Sequence, residues 1–348
     1  MRLSVFSAKP YDKKYFDAVH ATRAPTTPIT ISYLDYALNA DTVSAVHDTD
    51  AVCVFVNDSL PAPVVDALAE KGVRAILLRC AGFNHVDLDA AARRGIMVAN
   101  VPAYSPETVA EFAVALLQTL NRNTHRAYNR VREGNFALDG LVGRTLCGRT
   151  VGVLGVGKIG LAMARIMRGF GCHVIAHGPF PTPDFDQYGE YVDLDTLLTE
   201  SDIITLHCPL MDKTRHIING SSIAKMKKGV LLVNTSRGGL VDSRAVIKAL
   251  KSRHLGGAAL DVYEGEGSLF YDDHSHDIIH DDVLMRLVTF HNVIVTGHQA
   301  FFTEEALQEI AECTLRNLDE FAIGGTCGTS LTKEPEKAVK IPAPVRNV

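Results

Sequence analysis

Three residues in the second half of the chain have side chains suited to proton transfer and to carboxylate binding. Arg237, Glu264 and His298 each come shortly after an apolar run of the kind that forms a buried strand. An arginine can hold a carboxylate with two parallel hydrogen bonds and polarise a neighbouring carbonyl. A histidine can give or take a proton near neutral pH, and a paired glutamate would stabilise its charged form and fix its orientation.

Each of these residues, taken alone, is more often structural than catalytic. A single arginine is usually solvated or salt-bridged, and a single histidine after a strand usually serves the fold. In open α/β sheets, however, ligands bind outside the carboxyl ends of the strands, where Arg237, Glu264 and His298 are all expected. Their shared location therefore favours a catalytic set.

A glycine motif between a predicted strand and a predicted helix indicates what binds beside them. The sequence GVGKIG at residues 155–160 matches G-x-G-x-x-G. Gly155 would permit a tight turn, Gly157 would let a pyrophosphate approach the backbone, and Gly160 would let helix and strand pack closely. An ordinary strand–turn–helix connection is the alternative, but the flanking elements favour dinucleotide binding on the helix N-terminus. With nicotinamide in this crevice, the three side chains suit hydride transfer to a 2-oxo acid.

Apolar runs alternate with helical patterns along most of the chain, which predicts parallel, doubly wound α/β sheets. The 348 residues suggest two domains. Ser105 would cap a long helix, and the polar, proline-rich tail is expected to be poorly ordered. Helices are predicted at 61–71, 88–94, 105–132, 242–253 and 303–323. Strands are predicted at 2–7, 29–32, 51–56, 75–79 and 96–100, followed by six more at 150–154, 172–176, 203–208, 230–234, 258–262 and 293–296.

Composition and charge argue against several classes of protein. A net charge of −5 disfavours a general nucleic-acid or anionic-membrane binder, and 47% hydrophobic residues can bury a sizeable core. Seven separate cysteines without a C-x-x-C pair favour reduced thiols in the cytoplasm over disulfides or a zinc site. No apolar run is long enough to span a membrane. The acids and histidines between 272 and 280 are expected on a solvated loop and not at a metal site.

Eight segments, taken together, are far more specific than the glycine motif. With them the chain resembles the D-2-hydroxyacid dehydrogenases, most closely those of the bacterial D-lactate type. The resemblance implies a Rossmann-type cofactor domain at 104–298, inserted into a flavodoxin-like substrate domain formed by 1–103 and 299–348. It also implies a homodimer, built largely through the cofactor domains, or a dimer of such dimers. The segments are FVNDSLPAP, RCAGFNHVDLDAA, VPAYSPETVAEFAV, GVLGVGKIG, LHCPLMDKTRHIIN, VNTSRGGLVDSRA, LDVYEGEG and VTGHQAFFTEEAL.

The resemblance also assigns roles to individual residues. It places the catalytic arginine, glutamate and histidine at Arg237, Glu264 and His298. The substrate carboxylate would meet the backbone N–H groups around Ala81 and Gly82. The remaining substrate contacts would be Tyr104, as a hydrogen-bonding neighbour, and Phe55 and Phe301, closing a small apolar pocket. Cofactor contacts would be Gly155, Gly157, Lys158, Ile159, Gly160, Gly178, His207, Cys208, Pro209, Thr214, Thr235, Ser236 and Asp261. Of these, Cys208, Pro209 and Thr214 would line the adenosine side, and Thr235, Ser236 and Asp261 the nicotinamide side.

One position departs from the pattern of the family. The closest relatives would have an aspartate at position 178 to hold the adenosine ribose, whereas this chain has Gly178. NAD thereby loses a charge-assisted hydrogen bond, which typically contributes roughly 1.5–3 kcal/mol. The glycine also removes repulsion against the 2′-phosphate of NADP, although His177 is the only cationic candidate nearby. We therefore expect NAD as the cofactor, with weakened selectivity that admits NADP.

The resemblance implies an enzyme that reduces pyruvate to D-lactate. The pocket closed by Phe55 and Phe301 would suit a methyl-sized side chain, and no nearby basic residue invites a substrate phosphate. Two alternatives stay open at this stage. The enzyme could act on glyoxylate, hydroxypyruvate or a bulkier 2-oxo acid, or the chain could be a nucleotide-sensing corepressor on the same fold.

Overall fold

The computed structural model describes residues 1–23 and 27–332. The tail expected to be poorly ordered lies outside these residues from position 333 onward. The chain divides into two compact units. The first is Met1–Tyr104 with the segment that begins at Glu304, and the second is Ser105–Thr303. The second unit thus begins at 105, against an expected 104, and ends at 303, against an expected 298.

The first unit is built on a parallel sheet with helices packed against it. Its strands are β1 (Arg2–Val5), β2 (Thr30–Tyr33), β3 (Ala51–Val54), β4 (Ala75–Leu78) and β5 (Met97–Ala99). Its helices are α1 (Pro10–Thr22), α2 (Ala62–Glu70), α3 (Leu88–Arg93) and α11 (Glu304–Gly324). The strand order is β2-β1-β3-β4-β5, and every pair is parallel. This is the flavodoxin-like order, so the predicted α/β fold of this unit is confirmed.

The second unit contains a larger parallel sheet. Its strands are β6 (Thr150–Leu154), β7 (His173–His177), β8 (Glu190–Tyr191), β9 (Ile203–Leu206), β10 (Val230–Asn234), β11 (Leu255–Leu260) and β12 (Val293–Val295). Its helices are α4 (Pro106–Arg122), α5 (Thr124–Arg132), α6 (Lys158–Gly169), α7 (Leu194–Glu200), α8 (Gly220–Lys225), α9 (Ser243–Lys251) and α10 (Asp282–Val288). The order is β12-β11-β10-β9-β6-β7-β8. From β8 to β11 this is the Rossmann order, which reverses direction between β6 and β9, where dinucleotides bind in such sheets.

Two details of the second unit differ from the sequence prediction. The sheet has seven strands and not six, because β8 contributes only two residues, too few to show a period in the sequence. The long helix predicted to run to Arg132 is interrupted at Asn123, which has a left-handed φ of 53°. Asparagine tolerates this conformation better than most residues. Ser105, expected to cap α4 with its side chain, makes no side-chain capping bond and has φ 42°.

The two helices on either side of Asn123 have opposite surroundings. Helix α4 buries a stripe that includes Val109, Ala113 and Leu117, and it packs against α6, β10 and β11 of its own unit. Helix α5 buries no residue. Among the helices of the described residues, none is both long enough and apolar enough to cross a membrane.

Candidate active site

The glycine turn has the close approaches that its sequence predicts. Gly155 has φ 96°, and a Cβ atom there would lie 2.6 Å from the backbone nitrogen of Cys208. A Cβ atom at Gly160 would lie 2.1 Å from the carbonyl oxygen of Gly155, whereas one at Gly157 would meet no protein atom within 4 Å. Glycine is therefore required at 155 and 160 by the fold, and the open side of Gly157 suits close approach of a ligand.

The first turn of α6 provides hydrogen-bond donors beside this glycine turn. Within the described residues, the backbone N–H groups of Lys158, Ile159 and Gly160 donate to no acceptor. A twelve-residue helix with free N–H groups at its start attracts a phosphate both by hydrogen bonding and through its dipole. These residues fit the pyrophosphate of a dinucleotide.

Arg237 lies in a tightly held loop after β10. The side chain of Asn234 closes this loop, since its Nδ2 donates to the carbonyl oxygen of Arg237 at 2.9 Å and its Oδ1 accepts from the backbone of Ser236 at 3.0 Å. A Cβ atom at Gly238 would lie 2.0 Å from the carbonyl carbon of Tyr263, so the backbones of two loops touch there. Arg237 is half-buried and forms no ion pair within residues 1–23 and 27–332. Its charge is therefore available to a substrate carboxylate.

The loop that carries His298 is fixed by a buried aspartate. His298 has φ 55°, and its backbone N–H donates to the carbonyl oxygen of Asp261 at 2.8 Å. The Asp261 carboxylate accepts hydrogen bonds from Thr296 Oγ1 (2.5 Å), Gln299 N (2.9 Å) and Ala300 N (2.8 Å). Desolvation raises the pKa of Asp261 above its ordinary value, although these hydrogen bonds oppose the shift. Asp261, predicted to line the nicotinamide, thus has its side chain committed to positioning the histidine loop.

The imidazole of His298 is paired with a carboxylate, but the partner is Glu266. His298 Nδ1 lies 2.9 Å from Glu266 Oε1, and both side chains are largely buried, with 13% and 21% of their surfaces exposed. Glu266 Oε2 accepts a hydrogen bond of 2.7 Å from the backbone of Tyr263, which closes a short turn. This pairing leaves His298 Nε2 without a hydrogen-bond partner in the part of the chain that the structure describes. Nε2 is therefore the nitrogen that can reach a substrate.

The expected contact between Glu264 and His298 is wrong. Glu264 instead forms an ion pair with Arg215 and a second contact of 2.9 Å with His216 Nε2. The turn closed by Tyr263 directs the two glutamates of the sequence EGE to different neighbours. Because Glu264 and Glu266 are equally acidic and only two residues apart, the sequence does not distinguish them.

The predicted contacts on the adenosine side form a compact loop after β9. Thr214 Oγ1 donates to the carbonyl oxygen of Pro209 at 2.7 Å, and the backbone of Met211 donates to the same hydroxyl at 2.8 Å. Cys208 is buried, and burial raises the pKa of its thiol to about 11, so the thiol stays neutral. Its carbonyl oxygen accepts a 2.7 Å hydrogen bond from Ser236 Oγ. The segments predicted to contact adenosine and nicotinamide are thus joined by a direct hydrogen bond.

Two further cofactor candidates contribute uncharged groups. Desolvation lowers the pKa of His207 to about 4, and its Nε2 lies 2.8 Å from Thr205 Oγ1, so the ring is neutral near pH 7. Thr235 is buried, and its Oγ1 has no hydrogen-bond partner among the described residues. A buried hydroxyl without a partner is costly unless a ligand satisfies it, which is consistent with a cofactor contact.

Gly178 directly follows β7, beside the glycine turn. A Cβ atom there would lie 3.8 Å from Val156 N and 4.0 Å from the Cα of Gly155, which are ordinary contacts. Its φ is not in the left-handed region, so the position accepts a side chain without strain. His177 Nδ1 is bonded to the carbonyl oxygen of Val192 at 3.1 Å.

Four of the predicted substrate contacts lie in the first unit, namely Phe55, Ala81, Gly82 and Tyr104. The backbone N–H groups of Ala81 and Gly82 donate to no acceptor within residues 1–23 and 27–332, which suits them to bind an anion. The Asn100 side chain supports this segment through a 2.7 Å hydrogen bond to the carbonyl oxygen of Ala81. Phe55 is buried. Phe301 belongs to the second unit, where it is also buried, with its ring centroid 5.9 Å from that of Phe302.

Between residues 272 and 280, His274 Nδ1 lies 3.0 Å from Asp277, and Asp273 accepts a hydrogen bond of 2.9 Å from the backbone of Ser275. Among the described residues, no three histidines, cysteines, aspartates or glutamates are grouped so that they could hold a metal ion.

A Rossmann-ordered sheet, a dinucleotide turn, and an arginine and a histidine–carboxylate pair that follow its strand ends are the features of an NAD-dependent dehydrogenase. Residues 114–300 match the family described as D-isomer specific 2-hydroxyacid dehydrogenase, NAD binding domain. The chain belongs to this family, and it is an NAD-dependent oxidoreductase that acts on a CH–OH group. The predictions of family, fold class and NAD as cofactor are confirmed.

Individual relatives are similar over almost their whole length. The chain is 63% identical to a D-lactate dehydrogenase of Curvularia clavata over 96% of both chains. The apo-structure of D-lactate dehydrogenase from Escherichia coli has a TM-score of 0.85 at 47% identity, covering 95% of this chain and 100% of the other. The D-lactate dehydrogenase of Lactobacillus jensenii, solved with NAD⁺, has a TM-score of 0.79 at 33% identity over 96% and 100%.

Proposed function

We propose that the protein is a D-lactate dehydrogenase that reduces pyruvate to D-lactate reversibly. The observation that carries this proposal is the His298–Glu266 pair, which lies on the same sheet edge as an arginine without an ion-pair partner among the described residues. The similarity to proteins described as D-lactate dehydrogenases supports the choice of substrate.

The roles of the catalytic residues follow from their contacts. Arg237 binds the substrate carboxylate and polarises the adjacent carbonyl. His298 donates a proton from Nε2 to the carbonyl oxygen during reduction and takes it back during oxidation. Glu266 holds Nδ1 at 2.9 Å, which fixes the ring orientation and stabilises the imidazolium form. NADH supplies the hydride when it is bound.

The substrate contacts in the first unit belong to the same proposal. Ala81 and Gly82 offer two backbone N–H groups to the carboxylate, and Tyr104 offers a hydroxyl. Phe55 and Phe301 provide apolar surface for a small side chain such as the methyl group of pyruvate. We assign the first unit as the substrate domain and the second as the cofactor domain.

Cofactor selectivity depends on position 178. Gly178 provides no carboxylate for the ribose hydroxyls, so NADPH is expected to be used alongside NADH. Because a Cβ atom fits at this position, Gly178→Asp should raise the preference for NADH by about tenfold or more, the effect of a charge-assisted hydrogen bond. The measurement is kcat/KM with each cofactor, and Gly178→Asn is the uncharged control. An unchanged ratio in the aspartate variant would contradict this assignment.

We also propose a cytoplasmic homodimer, or a dimer of such dimers. Helix α5 and the segment after it expose large apolar side chains, including Phe136 at 73% and Leu138 at 78% exposure. Exposed apolar side chains of this kind are suited to contact with a second copy of the chain. Light scattering of the purified protein gives the assembly size, and Leu138→Asp should yield monomers. The seven cysteines, none of which forms a disulfide in the described residues, suit a reducing compartment.

The test of the function is a panel of 2-oxo acids with both reduced cofactors. We expect the highest kcat/KM with pyruvate and D-lactate as the product, identified by its stereochemistry. A higher kcat/KM with glyoxylate, hydroxypyruvate or a bulkier acid would mean that this acid, and not pyruvate, is the substrate.

A further inference from the structure

Glu264 lies where three loops of the second unit meet. The adenosine loop comprises residues 209–218, the arginine loop residues 235–240 and the acid turn residues 263–266. From the acid turn, Glu264 reaches the adenosine loop through its ion pair with Arg215 and its 2.9 Å contact with His216. Glu264, which does not contact His298, thus connects the acid turn with the adenosine loop.

The adenosine loop is held by a hydrogen bond within itself and by one to the arginine loop. The Thr214 hydroxyl donates a hydrogen bond to the carbonyl oxygen of Pro209 within the loop. His216 then donates its backbone N–H to the carbonyl oxygen of Gly239 at 2.8 Å and adopts a left-handed φ of 48°. A non-glycine residue holds this conformation only when its surroundings fix it. The contacts of Glu264 with Arg215 and His216 provide such a restraint.

The arginine loop is packed between the other two loops. The Gly238 Cβ position lies 2.3 Å from the backbone nitrogen of Glu264, so these two backbones are in direct contact. On the other side, a Cβ atom at Gly239 would lie 3.0 Å from Leu210 of the adenosine loop. The arginine loop is therefore in contact with both the adenosine loop and the acid turn.

The acid turn ends in the catalytic carboxylate. Glu266 accepts from the backbone of Tyr263 and pairs with His298, and Glu264 lies inside this turn. Any displacement of Glu264 moves the backbone that positions Glu266.

We propose that Glu264 is a positioning residue that links cofactor binding at the adenosine loop to the placement of Arg237 and Glu266. This inference rests on the proposed function, because it assigns that loop to NADH. The ion pair is partly solvated, with 34% of Glu264 and 56% of Arg215 exposed. An ion pair of this kind shifts an equilibrium by up to about fivefold, and salt screens it.

The test measures NADH binding by fluorescence titration, which needs no turnover. In about 20 mM salt, Glu264→Gln should raise the Kd for NADH by about threefold to fivefold, and in about 500 mM salt the difference from the wild type should vanish. Arg215→Gln should have a similar effect, and the double variant should be no weaker than either single variant. An unchanged Kd at low salt, or additive effects in the double variant, would overturn the proposal.

The coupling is tested with oxamate, an unreactive analogue of pyruvate. Oxamate should lower the Kd for NADH in the wild type, and by linkage NADH should lower the Kd for oxamate by the same factor. Glu264→Gln should reduce this factor to within about twofold of unity. The same factor in both proteins, or none in the wild type, would refute the link.

A matched control separates this role from a general effect of surface charge. Asp195→Asn removes the 2.6 Å ion pair with Lys225, which lies in the same unit and touches none of the three loops. Its Kd for NADH should equal that of the wild type, and a similar rise in this control would overturn the proposal. The absence of turnover on pyruvate, with NADH binding and its response to Glu264→Gln intact, would count against the proposed function only.

Discussion

At the carboxyl ends of β3 and β4, in the first unit, Asp58 and Arg79 are almost completely buried, with 2% and 1% exposure. At the end of β12, in the second unit, His298 retains 13% exposure and its partner Glu266 retains 21%. Both clusters lie where parallel strands end, and both pair a cation with a carboxylate. They differ in their access to solvent and in the number of contacts that each charge makes.

The buried cluster is held by hydrogen bonds within the protein, although Arg79 Nη1 is buried and has no hydrogen-bond partner among the described residues. Arg79 Nε donates to Asp12 at 3.1 Å, and Nη2 donates to the carbonyl oxygen of Ser7 at 2.9 Å. Its guanidinium carbon lies 4.8 Å from the centre of the Phe55 ring. Desolvation lowers the pKa of Arg79, but Asp12 and the other nearby anions outweigh it and raise the pKa above its ordinary value. Arg79 therefore remains charged at any pH at which the protein folds.

Asp58 fixes the loop that carries Phe55 in the same way. Its carboxylate accepts hydrogen bonds from Phe55 N (2.6 Å), Leu38 N (2.7 Å) and Ser7 Oγ (2.8 Å). A charge so enclosed cannot exchange protons with a ligand, but it can hold a neighbouring residue in place. The His298–Glu266 pair is more exposed, and one ring nitrogen of His298 has no partner among the described residues. This pair can therefore exchange a proton with a ligand. The two clusters thus differ in solvent access, as expected if the first positions a loop and the second takes part in the proposed reaction.

His298→Ala should have the largest effect and should separate activity from stability. Loss of the proton donor should lower kcat/KM for pyruvate by about a thousandfold or more. The free energy of unfolding should fall by no more than about 1–3 kcal/mol, the typical cost of losing a buried hydrogen-bonded partner. His291→Ala, which removes an exposed histidine, is the control. Activity within tenfold of the wild type would exclude His298 as the proton donor.

Arg79→Met should instead have its main effect on stability. It leaves Asp12 as a buried charge without its partner, which typically costs about 3–5 kcal/mol of unfolding free energy. Urea denaturation of the variant measures this loss. Arg94→Met removes an exposed arginine that pairs with Asp66 at 2.6 Å and should cost less than about 1 kcal/mol. Similar losses in the two variants would contradict the distinction drawn from burial.

Glu266→Gln tests which glutamate serves the histidine. Without the carboxylate, Nδ1 loses the 2.9 Å contact that orients the ring, so kcat/KM for reduction should fall by roughly a hundredfold. Glu264→Gln should lower kcat/KM by no more than about fivefold, because Glu264 does not contact His298. The kcat/KM values of the two variants decide the assignment, and a hundredfold loss in Glu264→Gln alone would reverse it.

The sequence predicts the elements of this site better than their contacts. The glycine turn, the strand ends and the positions of Arg237 and His298 follow from local patterns, because periodicity and turn chemistry are local properties. The partner of His298 depends on the direction in which a four-residue turn places its side chains, which residue types do not reveal. For this reason the sequence does not identify Glu266 as the partner of His298. Its only indication is that EGE contains a second acid.

The sequence also does not predict the buried cluster of the first unit. Arg79 ends an apolar run and could equally have been a solvated residue. Its burial depends on Asp12 of α1, which is distant in sequence and meets it only in the folded unit. The sequence also does not predict the break at Asn123, because nothing in the apolar stripe of α4 indicates that the helix ends there.

His207 extends the comparison to two histidines of one sheet edge. Desolvation lowers its pKa in the folded state to about 4, from an ordinary value of 6.5, whereas an unfolded chain binds a proton below about pH 6.5. Stability from this group is therefore fully present above that pH and is lost as the pH falls towards 4. At pH 5 the loss should be about 1–2 kcal/mol. Urea denaturation at pH 7 and pH 5 measures it, with His207→Gln as the variant that has no proton to bind. The wild type should lose more stability than the variant over this interval. Equal losses would mean that solvent reaches the ring of His207 well enough for it to gain a proton in the folded protein.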